Sequence, residues 1–260
     1  MKVNPAEKQK VLYEELTPKE FRVRMASAPI AYLPLGTLEW HGEHLPLGSD
    51  VIQPLEFFQE VAAEAGGIVL PALFLGTDRR EEIEGIEYFG KDNGNHPDLI
   101  GQQYERQILT GSLYWIPDLL FISLMERILR QLKRQGFKIL VAHGHGPSTQ
   151  LIIKHTLQWE TEFDLKIFHL WGSEEDEWHG FMCDHAAMLE TSLLMKYRPE
   201  LVHVENLSEK IDQWPVGVRG HDPRIYASVE RGEEIVKIQK LRIVTALRTA
   251  LDKLTHVQNS

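Results

Sequence analysis

Pro29-Ile30-Ala31-Tyr32-Leu33-Pro34-Leu35 is an unbroken apolar run, and Glu39-Trp40-His41-Gly42-Glu43-His44-Leu45-Pro46-Leu47-Gly48-Ser49-Asp50 follows shortly after it. An apolar run this short, without alternation, reads as a strand buried on both faces. Further strands are expected at 68–75, 138–142 and 165–171. Between and after them, helical patterns are expected just beyond Asp50 to about Ala65, then at 116–135, 147–162, 184–197 and 232–254. Pro54 belongs in a first turn, Gly66-Gly67 and Gly136 stop two of these helices, and Thr17-Pro18-Lys19-Glu20 has the cap, proline and glutamate that open a short one. Strands alternating with helices favour an α/β fold of three layers, α/β/α, around a mostly parallel central sheet. No repeat or linker divides the chain, so one domain over residues 1–260 is expected. Residues 76–101, polar and glycine-bearing, read as a long functional loop, and Ile235, Ile238, Leu241, Val244, Leu247 and Leu251 give the last helix a packing stripe.

Bulk composition excludes several classes of function. With 28 Lys plus Arg against 38 Asp plus Glu, the formal charge of -10 opposes a phosphate backbone, and nucleic acid is not an expected partner. Cys183 is the sole cysteine, so neither an internal disulfide nor a sulfur-based zinc framework is available, and the cytoplasm is the expected compartment. Residues 1–16 mix charges and lack the apolar core of a signal peptide. The most apolar stretch, 113–129, is interrupted by Pro117, Asp118 and Glu126, so no membrane span is expected.

The density of carboxylates and imidazoles in the segment after the first strand points to a metal site. Mixed oxygen and nitrogen donors suit zinc, manganese or iron, whereas an all-oxygen set suits calcium or magnesium. In an extended chain, residues two apart share a face, so Glu39 and His41 point into one pocket while Trp40 points away. Asp50, at a loop-to-helix junction, can bridge two ions. His143-Gly144-His145-Gly146 follows another strand, and ligands of open α/β sheets bind beyond the carboxyl ends of strands, so the two segments are expected to converge. Glu190, read on a helix, has Ala186, Ala187, Leu193 and Leu194 as its neighbours. A buried carboxylate on such a face either shifts its pKa or finds a cation: a metal, for which the alanines leave room, or an arginine from elsewhere. His185, on the same expected helix but about 140° around it, is read instead as a proton shuttle.

Together these segments resemble the creatininase family. Glu39-x-His41-Gly42-x-His44-Leu45-Pro46-Leu47-Gly48-x-Asp50 is similar to its first signature, Gly144-His145-Gly146 to the core of its second, and His185-Ala186 with Glu190-Thr191-Ser192 to its third. The resemblance implies Glu39, Asp50 and His145 on one metal, His41 with a bridging Asp50 on another, and His185 as the catalytic histidine. It further implies a cytoplasmic homohexamer with one or two zinc or manganese ions, hydrolysing a C–N bond in a small cyclic amide or formamide. His143, Pro147 and Ser148 stand where Asn, Gly and Asn are usual, and Pro147 occupies the place of a glutamate ligand in creatininase itself. Either Glu190 supplies that ligand or the second site is weak, and the loss argues against creatinine as substrate. Two rivals are a non-catalytic oligomer merely stabilised by metal, and a phosphoesterase using Arg79 and Arg80. Trp171, Trp178 and Tyr88 are candidates for an apolar pocket wall.

Overall fold

The computed structural model describes residues 10–94, 101–170 and 177–258. Its centre is a parallel sheet of four strands: β1 (Ile30–Leu35), β2 (Ile68–Val69), β5 (Ile139–Gly144) and β6 (Lys166–Phe168), in the order β2-β1-β5-β6. β1 and β5 run in register from Ile30 opposite Ile139 to Leu35 opposite Gly144, and every residue of both is buried. Strict alternation along these strands builds two cores. Ile30, Tyr32, Ile139 and Val141 face one layer, containing α2 (Ser49–Ala65), α5 (Met188–Tyr197) and α7 (Val229–Gln258). Ala31, Leu33, Leu35, Leu140 and Ala142 face the other, packed by α1 (Pro18–Ser27), α3 (Asp118–Gln135) and α4 (Gly146–Phe163). The three layers expected from the alternation of elements are therefore present.

Several elements differ from the expectation, each for a local reason. The second strand is regular only at 68–69; on either side of Pro71, which has no N–H, the chain keeps to β1 through Leu70, which donates to the Tyr32 carbonyl, and through an isolated bridge at Leu73, which donates to the Pro34 carbonyl and accepts the Gly36 N–H. Pro34 is tolerated in a central strand because its carbonyl, and so its missing N–H, points toward this thinly paired side. The last strand ends at Phe168, and Trp171 lies outside the described residues. α2 starts at Ser49, so Pro54 sits past its first turn and leaves the Asp50 carbonyl without its helical donor.

The segment expected as loop at 76–101 contains a hairpin, β3 (Arg80–Ile83) with β4 (Ile86–Phe89), turning at Glu84 and Gly85 with φ of +53° and +79°. Paired left-handed residues match the twist of a two-residue turn. Glutamates at 81, 82, 84 and 87, on largely exposed strands, hide the apolar alternation that would have signalled it. In α7 the face toward the core runs through Ile235, Val236, Gln239, Ile243, Val244 and Leu247, while Leu241, expected in the stripe, is 70% exposed.

The largest departure concerns the helix expected from 184, because α5 begins at Met188. Ala186 is left-handed, with φ of +52°, which breaks any helix through it. The Asp184 carboxylate instead accepts the N–H groups of Leu189 and Glu190 at 2.7 and 3.2 Å, capping α5 from outside. His185 is thereby held in extended chain, exchanging both backbone hydrogen bonds with Arg219. α6 (Pro223–Tyr226) follows that strand-like segment. Among the described residues no helix is long and apolar enough to cross a membrane.

Candidate metal centre

The carboxyl ends of β1 and β5 lie side by side, and the chemistry gathers beyond them. Glu39 and His41 come from the loop after β1, which is closed by the Glu39 N–H donating to the Leu47 carbonyl. Asp50 comes from the first turn of α2, His145 from the end of β5, and Glu190 from the first turn of α5. All five side chains are buried. Three groups bring their donor atoms within 4.8 Å of one another and can hold an ion: Glu39, Asp50 and His145; His41, Asp50 and Glu190; and Glu39, His41 and His185.

The spacings fit a divalent ion. His41 Nε2 lies 3.5 Å from Asp50 Oδ1 and 3.5 Å from Glu190 Oε2, and His145 Nε2 lies 3.6 Å from Glu39 Oε2. Two donors each about 2.1 Å from a tetrahedral ion stand about 3.4 Å apart, longer than a good hydrogen bond and close to these values. Glu39 Oε1, His41 Nε2, Asp50 Oδ2 and His145 Nε2 are buried without a hydrogen-bond partner. Buried polar atoms left unpaired are costly, and all four belong to residues of the groups able to hold an ion, as bound cations would require. Each imidazole is also oriented from behind. His41 donates Nδ1–H to the Glu39 carbonyl at 3.0 Å, which leaves Nε2 as its lone pair, and His145 Nδ1 lies 3.0 Å from Ser148 Oγ.

Charge in the pocket points the same way. Burial drives the Glu39 carboxyl well above its ordinary range, with Asp50 adding to the push. Burial also lifts Glu190, against the relief from His41 and with help from Asp184 and Asp50, to about 8. Burial alone would lower His41, yet the Asp50, Glu190 and Glu39 carboxylates raise it to about 10. A proton held that firmly on a buried imidazole marks a place where the field favours positive charge.

His185 enters only the third of the groups able to hold an ion. It donates Nε2–H to the Trp40 carbonyl at 2.9 Å, and its ring lies 4.4 Å from that of His41. Burial first, then the positive charges of Lys91 and His41, push it well below the ordinary histidine value, so it is neutral with Nδ1 as its free base. His143 is buried behind the site and donates Nε2–H to the Phe181 carbonyl. Glu190 Oε2 accepts the Ala186 N–H at 2.6 Å, and among the described residues no arginine or lysine pairs with it.

Two groups escaped the sequence reading. Asp78, whose Oδ2 is 4.0 Å from His145 Nε2, follows no strand and has no periodic neighbours to reveal it. Lys91, just after the unexpected hairpin, is close enough to act on Glu39, Asp50, His145 and His185. The site opens into a cleft of about 740 Å³ whose wall includes Pro147, Gln150, Leu151 and Lys154 of α4. Among the residues suggested for an apolar wall, Trp178 stacks on His221 and Tyr88 packs beneath Arg106, neither lining that cleft.

The family profile described as creatinine amidohydrolase matches residues 14–89 and 99–246. The chain belongs to the creatininase family. It is 26% identical over 272 aligned positions to a creatinine amidohydrolase of Pseudomonas putida, covering 92% of this chain and 96% of that protein. Among solved structures, a mutant creatininase of Zn-Zn type matches with a TM-score of 0.69 at 23% identity, covering 93% of this chain and 98% of that one. A manganese form of creatininase matches at 0.67 and 24%, covering 93% and 99%. These likenesses show that the three-layer creatininase fold extends over nearly all of the chain. In this chain Ser148 makes the orienting contact to His145, and the side chain of the neighbouring Pro147 carries no metal-binding atom.

Proposed function

We propose that this creatininase-family chain is a metal-dependent amidohydrolase that cleaves a C–N bond in a small cyclic amide or formamide. The observation that carries the reading is the set of buried, unpartnered donors on Glu39, His41, Asp50 and His145, gathered at an open cleft. A purely structural ion would have its coordination filled by protein. Glu39, Asp50 and His145 would hold one zinc or manganese ion, and His41, Asp50 and Glu190 a second, with Asp50 common to both. Such ions, when bound, supply Lewis acidity and lower the pKa of water toward neutrality.

The chain's own residues then have distinct tasks. Ser148 and the Glu39 carbonyl fix the faces of His145 and His41. His185, anchored through Nε2–H and neutral, accepts a proton at Nδ1 and returns it to the departing nitrogen. Elemental analysis of the purified protein, joined to a screen of formamides, lactams and cyclic ureides, tests the proposal: a metal-free protein that turns over none of them would end it.

Two substitutions separate the roles. His185→Ala is expected to keep its metal and slow turnover by about 10²–10⁴-fold, as removal of a general acid-base group does; loss of metal would place His185 among the ligands. Glu190→Gln is expected to lower metal content from two ions toward one. An unchanged stoichiometry of two would leave Glu190 a packing role.

A further inference from the structure

Four basic side chains from four separate segments line the cleft: Arg79 before the hairpin, Lys91 after it, Lys154 on α4, and Arg219. Among the described residues none of the four makes an ion pair, in a chain whose formal charge is -10. Arg219 exchanges both backbone hydrogen bonds with His185, at 2.9 and 2.8 Å, and residues directly opposite in an antiparallel bridge carry their side chains on the same face. Its side chain therefore leaves on the His185 face, and both residues line the cleft. Lys91 lines the same cleft wall as His185, Glu39, Asp50 and His145.

These cations are not needed as counterions inside. Glu39, Asp50, Asp78 and Glu190 carry the negative charge of the inner cluster, which a pair of divalent ions would balance. The remaining carboxylates of the wall are engaged: Asp118 accepts the Thr77 hydroxyl, and Asp184 caps α5. Unspent positive charge at the mouth of a cleft draws in and orients an anion.

We infer that the amide taken by this cleft carries a carboxylate or phosphate group, held by Lys91 and Arg219 beside the reacting carbonyl, with Arg79 and Lys154 steering its approach. This rests on the amidohydrolase reading and goes beyond it by naming the charge of the substrate. Recognition of an anion also accounts for an arginine opposite the residue assigned the proton transfer, since anchoring one end of a small amide fixes the distance of its C–N bond from His185.

The test uses the zinc-loaded full-length protein and matched probes: N-formylglycine, N-formylaminomethylphosphonate and neutral N-propylformamide. Binding of N-methylsulfonylglycine and of N-propylmethanesulfonamide, which have no scissile carbonyl, is measured by calorimetry. The expected result is a preference of about tenfold or more for an anionic probe, in kcat/KM and in Kd, weakened by added salt. In the Lys91→Gln and Arg219→Gln variants that ratio should collapse toward one with metal content retained; whichever of carboxylate and phosphonate loses more identifies the anion. Equal treatment of charged and neutral probes, or a ratio that survives both substitutions, overturns the inference. The two readings fail separately: charge-selective binding of the sulfonyl probe without any amide turnover sinks the hydrolase, whereas turnover without charge preference sinks the anion site.

Discussion

Asp50→Asn is expected to lose most of its bound metal and its amide turnover together, by more than the roughly 10–100-fold that follows loss of an outer-shell partner of a ligand. Asp50 belongs to two of the three groups able to hold an ion, is buried, and has one carboxylate oxygen without a hydrogen-bond partner. Asparagine keeps the shape and one oxygen but removes the charge and replaces an acceptor with a donor, which a cation repels. The effect on folding should have the same sign. In protein stripped by a chelator, against the push of burial, His41 and His145 hold the Asp50 carboxyl below its ordinary range and Asp50 in turn keeps a proton on His41, so the chelated variant should melt below the chelated parent. Elemental analysis, turnover and melting temperature together check this; full metal content with full turnover would remove Asp50 from the centre.

Much of this architecture could be read from residues, and the reason differs between parts. β1 and β5 are buried on both faces, so their sequences are continuous apolar runs that only a central parallel strand explains. Glu39, His41 and Asp50 are close in the chain, and a donor set that dense has few other uses. Local pattern carries no information about chain reversal, however. Asp184 caps α5 across a left-handed Ala186, so a sequence with acceptable helix formers from 184 onward is not a helix there, and the angular argument that separated His185 from Glu190 had the wrong premise. The hairpin at 80–89 was hidden because its strands are exposed and glutamate-rich, and with it went Asp78 and Lys91, whose importance comes only from what the hairpin brings them near. The burial of Glu190 was legible in spite of the wrong helix start, since its apolar neighbours at three and four residues do not depend on where the helix begins.

Gly144→Ala is expected to be the most damaging single methyl in the sheet. Gly144 has φ of +148° and closes β5 opposite Leu35. A Cβ built there would lie 1.7 Å from the Leu35 carbonyl oxygen, 2.7 Å from its carbon and 3.1 Å from the Asp50 carbonyl oxygen. All three are backbone atoms, so no side chain can swing aside; β1 and α2 themselves have to retreat. The same Leu35 oxygen accepts the His145 N–H at 3.1 Å, and forcing it away loosens the segment that presents His145 to Glu39. Overpacking of this kind costs about 1–3 kcal/mol where neighbours yield, and a clash with rigid backbone belongs to the exceptional range above about 4–5 kcal/mol. For a chain of this size each kcal/mol corresponds to roughly 2–4 °C in Tm, so a fall on the order of 10 °C or more is expected, with metal binding weakened in whatever protein remains folded. Gly85→Ala supplies the comparison. Its φ of +79° carries the same left-handed strain, but a Cβ there meets nothing within 4 Å, so only the local strain of about 1–2 kcal/mol applies. If the two variants melt together, close approach of β1 and β5 is not what shapes the rim, and the geometry that brings Glu39 and His145 within 3.6 Å must have another origin.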